Sequence, residues 1–333
     1  MTRPTAAHAP HDPRTAMRRV LVALAPGVLV LIGWYGWGPL IQLGLAIVTF
    51  CGCDALARRL RKQRMPADRS LGGRPLLGDG SGLVSALLLG VALPGYGPWW
   101  VVVTAAAFAS LAGKAPFGPA RNPFNPAMLG YAFALMAFPA QMAQWPAPGA
   151  SPDLLDSLQQ VFRIGDGLPD GWSQATLLDI LKHNQRLTIE ELFERVPAFG
   201  AFGARGLEWV NLAFLAGGLL LLRQKVIGWQ GPLGMLGALF VASLLCWNGS
   251  GSDSNGSPLV HLSSGGTLLA AFFIVTEPVT GASTPRGRLL FGIGVGLLTY
   301  AIRTWGSYPD GIAFAVLLMN LCVTRLDHLG RAR

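Results

Sequence analysis

Between Val20 and Thr324 the chain returns ten times to an apolar run, and each pair of runs is separated by a basic, polar or glycine- and proline-rich break. A helix at the surface of a water-soluble protein keeps a polar face, whereas a segment apolar on every side belongs in lipid or inside a bundle. Composition agrees: only 13% of the 333 residues are charged and 51% are hydrophobic, against about 25% charge in an average soluble domain. The chain is therefore predicted to be an all-α polytopic membrane protein. Its spans lie near residues 20–34, 38–57, 83–93, 99–112, 127–143, 210–222, 233–246, 259–276, 289–302 and 312–324. Arg14, Arg18 and Arg19 ahead of the first run resemble the start of a signal peptide. No small-residue cleavage site follows, and a second span comes at once, so the first helix is expected to stay.

Ten spans bring the chain back to the side from which it started, and the basic residues say which side that is. Twenty of the 26 lysines and arginines fall on the N-terminal side. Among them are Arg58, Arg59, Arg61, Lys62, Arg64, Arg69 and Arg74 in one loop. This asymmetry assigns both termini to the cytoplasm. The formal charge of +9 is spread along the chain in this way and does not make a single nucleic-acid patch. The polar interval 145–205 falls on the opposite side and carries eight acids against five bases. The expected divisions are a disordered cytoplasmic tail (1–18), a five-helix half (19–144), an outward loop (145–205), a second five-helix half (206–327) and a cytoplasmic tail (328–333).

The halves echo each other. The third span of each is short and glycine-broken, at Asp79-Gly-Ser-Gly82 and Ser263-Ser-Gly-Gly266, and the fifth is entered through Asn125-Pro126 or Tyr308-Pro309. Five is odd, so such repeats have inverted topology, and paired broken helices point to a site near the membrane midplane. The two glycine-broken segments are expected to face each other there, around a cavity with room for an ion or a second flavin. Residues 248–257 have the composition of a flexible solvent loop.

Within the outward loop, Asp170-Gly171 marks a turn, and Leu177, Leu178, Ile180 and Leu181 start a run at helical spacing. Ser173 is expected to cap that helix, with Thr176 in its first turn beside free amides that stabilise a phosphate. The plainer alternative is a capped surface helix with an ordinary threonine. Cys51-x-Cys53 is read as a pair of small buried residues and His261 as structural. The Gly292–Gly296 spacing is read as a helix-packing signal. Asp310 is expected to be a helix cap or the partner of Arg303.

The chain resembles the RnfD/NqrB family of membrane electron-transport subunits. The resemblance rests on Asp79-Gly-Ser81, Asn122-Pro-Phe-Asn-Pro-Ala-Met-Leu-Gly130, His261-Leu-Ser-Ser-Gly-Gly-Thr267, Thr276-Glu-Pro-Val-Thr280 and, above all, the block from Ile302 to Asn320. It covers most of residues 18–327. It implies a urea-channel-like bundle of ten transmembrane helices in two inverted five-helix repeats, with residues 145–205 as a periplasmic loop. In this family a Ser/Thr-Gly-Ala-Thr motif carries FMN as a phosphoester on its last threonine. Ser173-Gln-Ala-Thr176 is similar to it, with Gln174 where the family has glycine. Thr176 is thus the expected attachment point, flanked by Ser173, Gln174 and Ala175, with Trp172 either stacked on the flavin ring or anchored at the interface. A second, non-covalent flavin such as riboflavin among the broken helices is a further candidate cofactor. The implied partners are a second FMN-bearing subunit, iron–sulfur subunits and further membrane subunits in a bacterial inner membrane. The implied activity is electron exchange between NADH and ferredoxin coupled to Na+ or H+ movement. On the inverted repeats alone, a solute channel or permease remains the alternative, and a structural scaffold a weaker one.

Overall fold

The computed structural model describes residues 12–60, 80–117, 121–147, 149, 152–164, 172–184, 186–252 and 254–331. Every one of the ten apolar runs holds a helical segment. In the first half these are α1 (Pro13–Tyr35), α2 (Trp37–Leu60), α3 (Ser81–Ala92), α4 (Trp99–Phe108) and α5 (Pro126–Ala137). α4 runs on as a π-helical turn, Ala109–Lys114. A short α6 (Pro139–Met142) leads to β1 (Trp145–Pro146), α7 (Leu154–Phe162), β2 (Ser173–Gln174), α8 (Leu177–His183) and α9 (Ile189–Arg195). The second half consists of α10 (Leu207–Arg223), α11 (Gln230–Leu245), α12 (Pro258–Ser263), α13 (Thr267–Leu269), a π-helical turn (Ala270–Ile274), α14 (Pro285–Trp305) and α15 (Ile312–Arg331). Among the described residues, three helices are long and apolar enough to cross a membrane: Arg14–Tyr35, Trp37–Leu60 and Ile312–Arg331. The protein is a multi-pass membrane protein.

Glycines set how closely the helices pack. A side chain at Gly292 or Gly296 on α14 would collide with the backbone carbonyls of Gly231 and Met235, and one at Gly234 on α11 with that of Leu289. α11 and α14 therefore meet backbone to backbone, as the Gly292–Gly296 spacing predicts. The halves interlock in the same way. Gly27 of α1 lies under the ring of Phe214 on α10, and Gly217 of α10 lies against the carbonyl of Ala23. A hydrogen-bond chain also joins them. The Asn125 amide donates to the Asn320 side chain (3.0 Å), which donates onward to the Thr280 carbonyl (3.1 Å). Asn125 meanwhile caps α5 by accepting from the Met128 amide at 3.1 Å.

Several boundaries differ from the expected ones. The first helix starts at Pro13, not at 19, because proline suits a first helical turn and the helix extends through Arg14, Arg18 and Arg19. The last helix likewise runs to Arg331, past the expected boundary at 327. The described residues of 248–257 are folded, not a free linker. Ser254 is buried, the Ile189 amide donates to the Ser250 carbonyl (2.9 Å), and Asn184 donates to that of Ser252 (3.1 Å). Their polar groups satisfy neighbouring protein where the composition suggests solvent.

The two glycine-broken segments do not meet. Asp79 lies outside the described residues; Gly82 neighbours Lys114, Asp54 and Phe50, whereas Gly265 neighbours Asp310, Arg303 and Leu178. Each break is instead satisfied by its own neighbours, Lys114 and Asp54 around the first and Arg303 and Asp310 around the second.

Candidate functional site

The described residues of 145–205 form a small cap whose apolar centre is completed by Val260 of α12. Leu177, Leu178 and Leu181 on one face of α8 pack with Leu192, Ala198, Phe199, Ala204 and Val260. α9 is held by a capping box in which Thr188 accepts from the Glu191 amide and Glu191 accepts from that of Thr188. In the β1–β2 ribbon, Trp145 pairs with Gln174 and Pro146 with Ser173.

That ribbon changes the local reading of the motif. Ser173 is an exposed strand residue, not a cap. The cap of α8 is Thr176 itself, extended at φ −68° and ψ 156°, whose hydroxyl accepts from the Asp179 amide at 3.2 Å. Ser and Thr compete for cap positions on nearly equal terms, and the distant partner strand decides here by holding Ser173 in extended pairing. α8 has seven residues with Asp179 in its first turn. The helix-dipole support expected for a phosphate is therefore weak, and one local charge opposes it.

Thr176 stands on the wall of a cavity of about 330 Å3 that passes between the two halves. Met128 and Tyr131 of α5 and Val91 of α3 contribute to it from the first half. Asn211 of α10, Leu269 of α13 and Ile312 of α15 contribute from the second. Trp145, placed by the ribbon, also faces it. Of the five residues expected from the motif, Thr176 alone lines this space. Gln174 and Ala175 are half-buried beside it. Trp172 sets its ring edge-to-face on Tyr96, 5.1 Å between centroids at 84°. The hydroxyl of Tyr96 donates to the Tyr35 carbonyl at 2.7 Å. Trp172 thus seats the cap on the first half and does not line the cavity.

The far side of the cavity is the break in the eighth apolar run, and side chains satisfy its freed backbone. Asn211 donates to the carbonyls of Ser263 (2.9 Å) and Gly265 (3.0 Å). Arg303, buried, donates to the His261 carbonyl (2.8 Å), the Thr267 hydroxyl (2.9 Å) and Asp310 (3.2 Å). Asp310 also accepts from the Ile312 amide (3.3 Å), so it is both ion-pair partner and cap. His261 is hydrogen-bonded to the Asn255 carbonyl (2.8 Å) and sets its ring edge against Tyr300, a structural use.

Lys182, one turn and a half beyond Thr176, spans from the cap to the bundle. Its ammonium donates to the carbonyls of Tyr308 (2.7 Å) and Ile302 (3.1 Å). Burial pushes its pKa below the usual lysine value, partly offset by Asp179. Tyr308 and Asp310 line the cavity, so Lys182 fixes the threonine-bearing helix to the opposite wall. No local pattern signals this bond, since a surface lysine on a short helix is unremarkable until its partner is placed.

A family model described as the NQR2, RnfD, RnfE family matches residues 1–333. The chain belongs to that family. Curated relatives, named as the D component of an ion-translocating oxidoreductase complex, resemble it from end to end. One from Pseudomonas aeruginosa (strain UCBPP-PA14) is 53% identical over 336 residues, covering 100% of this chain and 95% of its own. One from Ectopseudomonas mendocina (strain ymp) is 52% identical over 339 residues with the same coverage. The sequence resemblance to RnfD thus stands as membership of the NQR2, RnfD, RnfE family.

Proposed function

We propose that the protein is the RnfD-type membrane component of an Rnf ion-translocating oxidoreductase, with FMN held as a phosphoester on Thr176. The complex would pass electrons between NADH and ferredoxin and couple them to Na+ or H+ movement across the inner membrane. One observation carries the site assignment: the motif's last threonine is the one motif residue on the wall of the cavity between the halves. A mostly apolar cavity of about 330 Å3 lies within the range of small-molecule sites, about 300–1,000 Å3. Its walls of Val91, Met128, Leu269 and Ile312 suit a planar aromatic ring and not a hydrated solute, which favours the redox role over the permease.

When bound, the flavin supplies one- and two-electron chemistry, and the protein supplies position and electrostatics. Thr176 fixes the attachment point, and α8 is pinned by Lys182 on one side and by the leucine face on the other. Tyr131, Trp145 and Tyr308 bring aromatic side chains to a mostly apolar lining, to which Asp179, Asn211 and Asp310 add polar groups. Gln174 pairs in the ribbon with Trp145, so its side chain projects from a strand and does not need the freedom of glycine.

The ten-span, two-repeat arrangement with cytoplasmic termini belongs to this reading. It is supported by a correspondence between the halves. Lys114, at the end of the first half's fourth run, donates to Ser81 at the start of its third (3.0 Å). Arg303, near the end of the ninth run, donates to Thr267 at the break of the eighth.

Mass analysis of the tryptic peptide from Ile164 to Lys182 tests the linkage. The expected result is a flavin adduct localised to Thr176 and a fluorescent band on denaturing electrophoresis that Thr176→Ala abolishes while the protein still assembles. A covalent flavin that survives in Thr176→Ala would overturn the assignment.

A further inference from the structure

We infer that α7 lies in the lipid headgroup region of the membrane face that carries the cap, as an in-plane anchor. Successive residues of a helix turn by about 100°, and on α7 this divides nine residues into three sectors. Ser157, Gln160 and Val161 share one sector and are buried against the protein. Leu154, Leu155, Leu158 and Phe162 occupy the next, an arc of about 100°. Leu154, Leu155 and Phe162 in it are exposed, Leu155 to 62%. Asp156 and Gln159 complete the circle and face outward. A helix lying on a soluble protein has two environments to satisfy; this one has three, protein, apolar and aqueous, side by side. That is the pattern of a helix half-sunk at an interface.

The position of α7 agrees. Ser157 approaches the Tyr96 hydroxyl at 3.5 Å, and Tyr96 lies in the turn that joins α3 to α4. That turn is flanked by the exposed Trp99 at the start of α4, and α2 starts with the exposed Trp37. Exposed tryptophans at helix starts mark the headgroup level. The exposed stripe of α7 is thus tied to the edge of the apolar surface that α2 and α4 present to lipid. Beyond the helix, Arg163 at φ 57° turns the chain, and Ile164 is exposed to 62%. A cation between two apolar residues at this level has phosphate oxygens within reach. The occupant is the phospholipid leaflet, because the stripe continues the lipid-facing surface of α2 and α4, while the acids Asp153 and Asp156 keep to the N-terminal end and the aqueous sector of the helix.

The test places nitroxide labels on single cysteines at Leu155, Phe162 and Gln159. The background has Cys51, Cys53, Cys246 and Cys322 replaced by serine, and the complex is assembled in phospholipid nanodiscs. Accessibility to oxygen, which concentrates in lipid, is compared with accessibility to a water-soluble nickel chelate. The expected result is several-fold higher oxygen-to-chelate accessibility at 155 and 162 than at 159. Equal chelate access at all three positions would overturn the inference by placing the helix in water. Protection of 155 and 162 from both reagents would overturn it by placing a protein partner on the stripe. Neither outcome depends on the presence of flavin.

Discussion

Two side chains bridge the walls of the cavity, and their chemistry ranks them. Asp310 pairs with a guanidinium that is 1% exposed, and removing one partner of a buried ion pair leaves an uncompensated charge at a cost of about 3–5 kcal/mol. Lys182 makes two hydrogen bonds to carbonyls from a half-buried position, and removing both the charge and the bonds costs about 1–3 kcal/mol. Asp310→Ala is therefore expected to lower the unfolding midpoint of the solubilised protein more than Lys182→Met. Lys182→Met should instead increase protease cleavage within the cap, since it frees α8 from the Tyr308 turn. The reverse ranking would mean that the Arg303 cluster is solvated. At this scale the sequence is legible where partners are near in the chain. The Arg303–Asp310 pair spans seven residues and follows from spacing, while Lys182 to Ile302 spans 120 and does not. The cap of α8 lies three residues beyond its expected place for the same reason: the strand that claims Ser173 lies at Trp145–Pro146.

Among the elements, the apolar runs declare themselves because lipid requires each crossing segment to satisfy its own backbone. Their glycine pattern also announces the α11–α14 contact. Gly292→Val would drive a branched side chain into the Gly231 carbonyl and the Met235 amide. Neither backbone can retreat without losing a helical hydrogen bond. This substitution is expected to reduce membrane-inserted protein several-fold in a quantitative blot, whereas Gly237→Val, with open space around it, should leave the amount unchanged. Equal loss in both would point to a defect of insertion, not of packing. What sequence does not disclose at this scale is that the polar interval builds an apolar centre together with Val260 of α12. Leu192, Phe199 and Val260 come from stretches apart from the Leu177–Leu181 run, and its helical spacing does not say what covers its buried face.

For the whole molecule, the proposed orientation predicts opposite reactivity at Arg186→Cys and Arg286→Cys, both exposed positions. In the cysteine-free background, a membrane-impermeant maleimide added to intact spheroplasts should label 186 and not 286. Inverted vesicles should reverse the pattern. Labelling of 286 in spheroplasts would refute cytoplasmic termini. The cavity is the feature least legible in the sequence, because its walls come from α3, α5, the cap, α10, α13 and α15, stretches that no local pattern relates. Ile312 and Ala313 belong to α15, so the enclosure closes only when that helix has docked. On a ribosome the chain emerges from its N-terminus, and Thr176 leaves the exit tunnel long before α15 has been made. For that interval the threonine stands beside a space missing one of its walls. During synthesis, then, the residue is reachable from a side that the folded bundle later shuts.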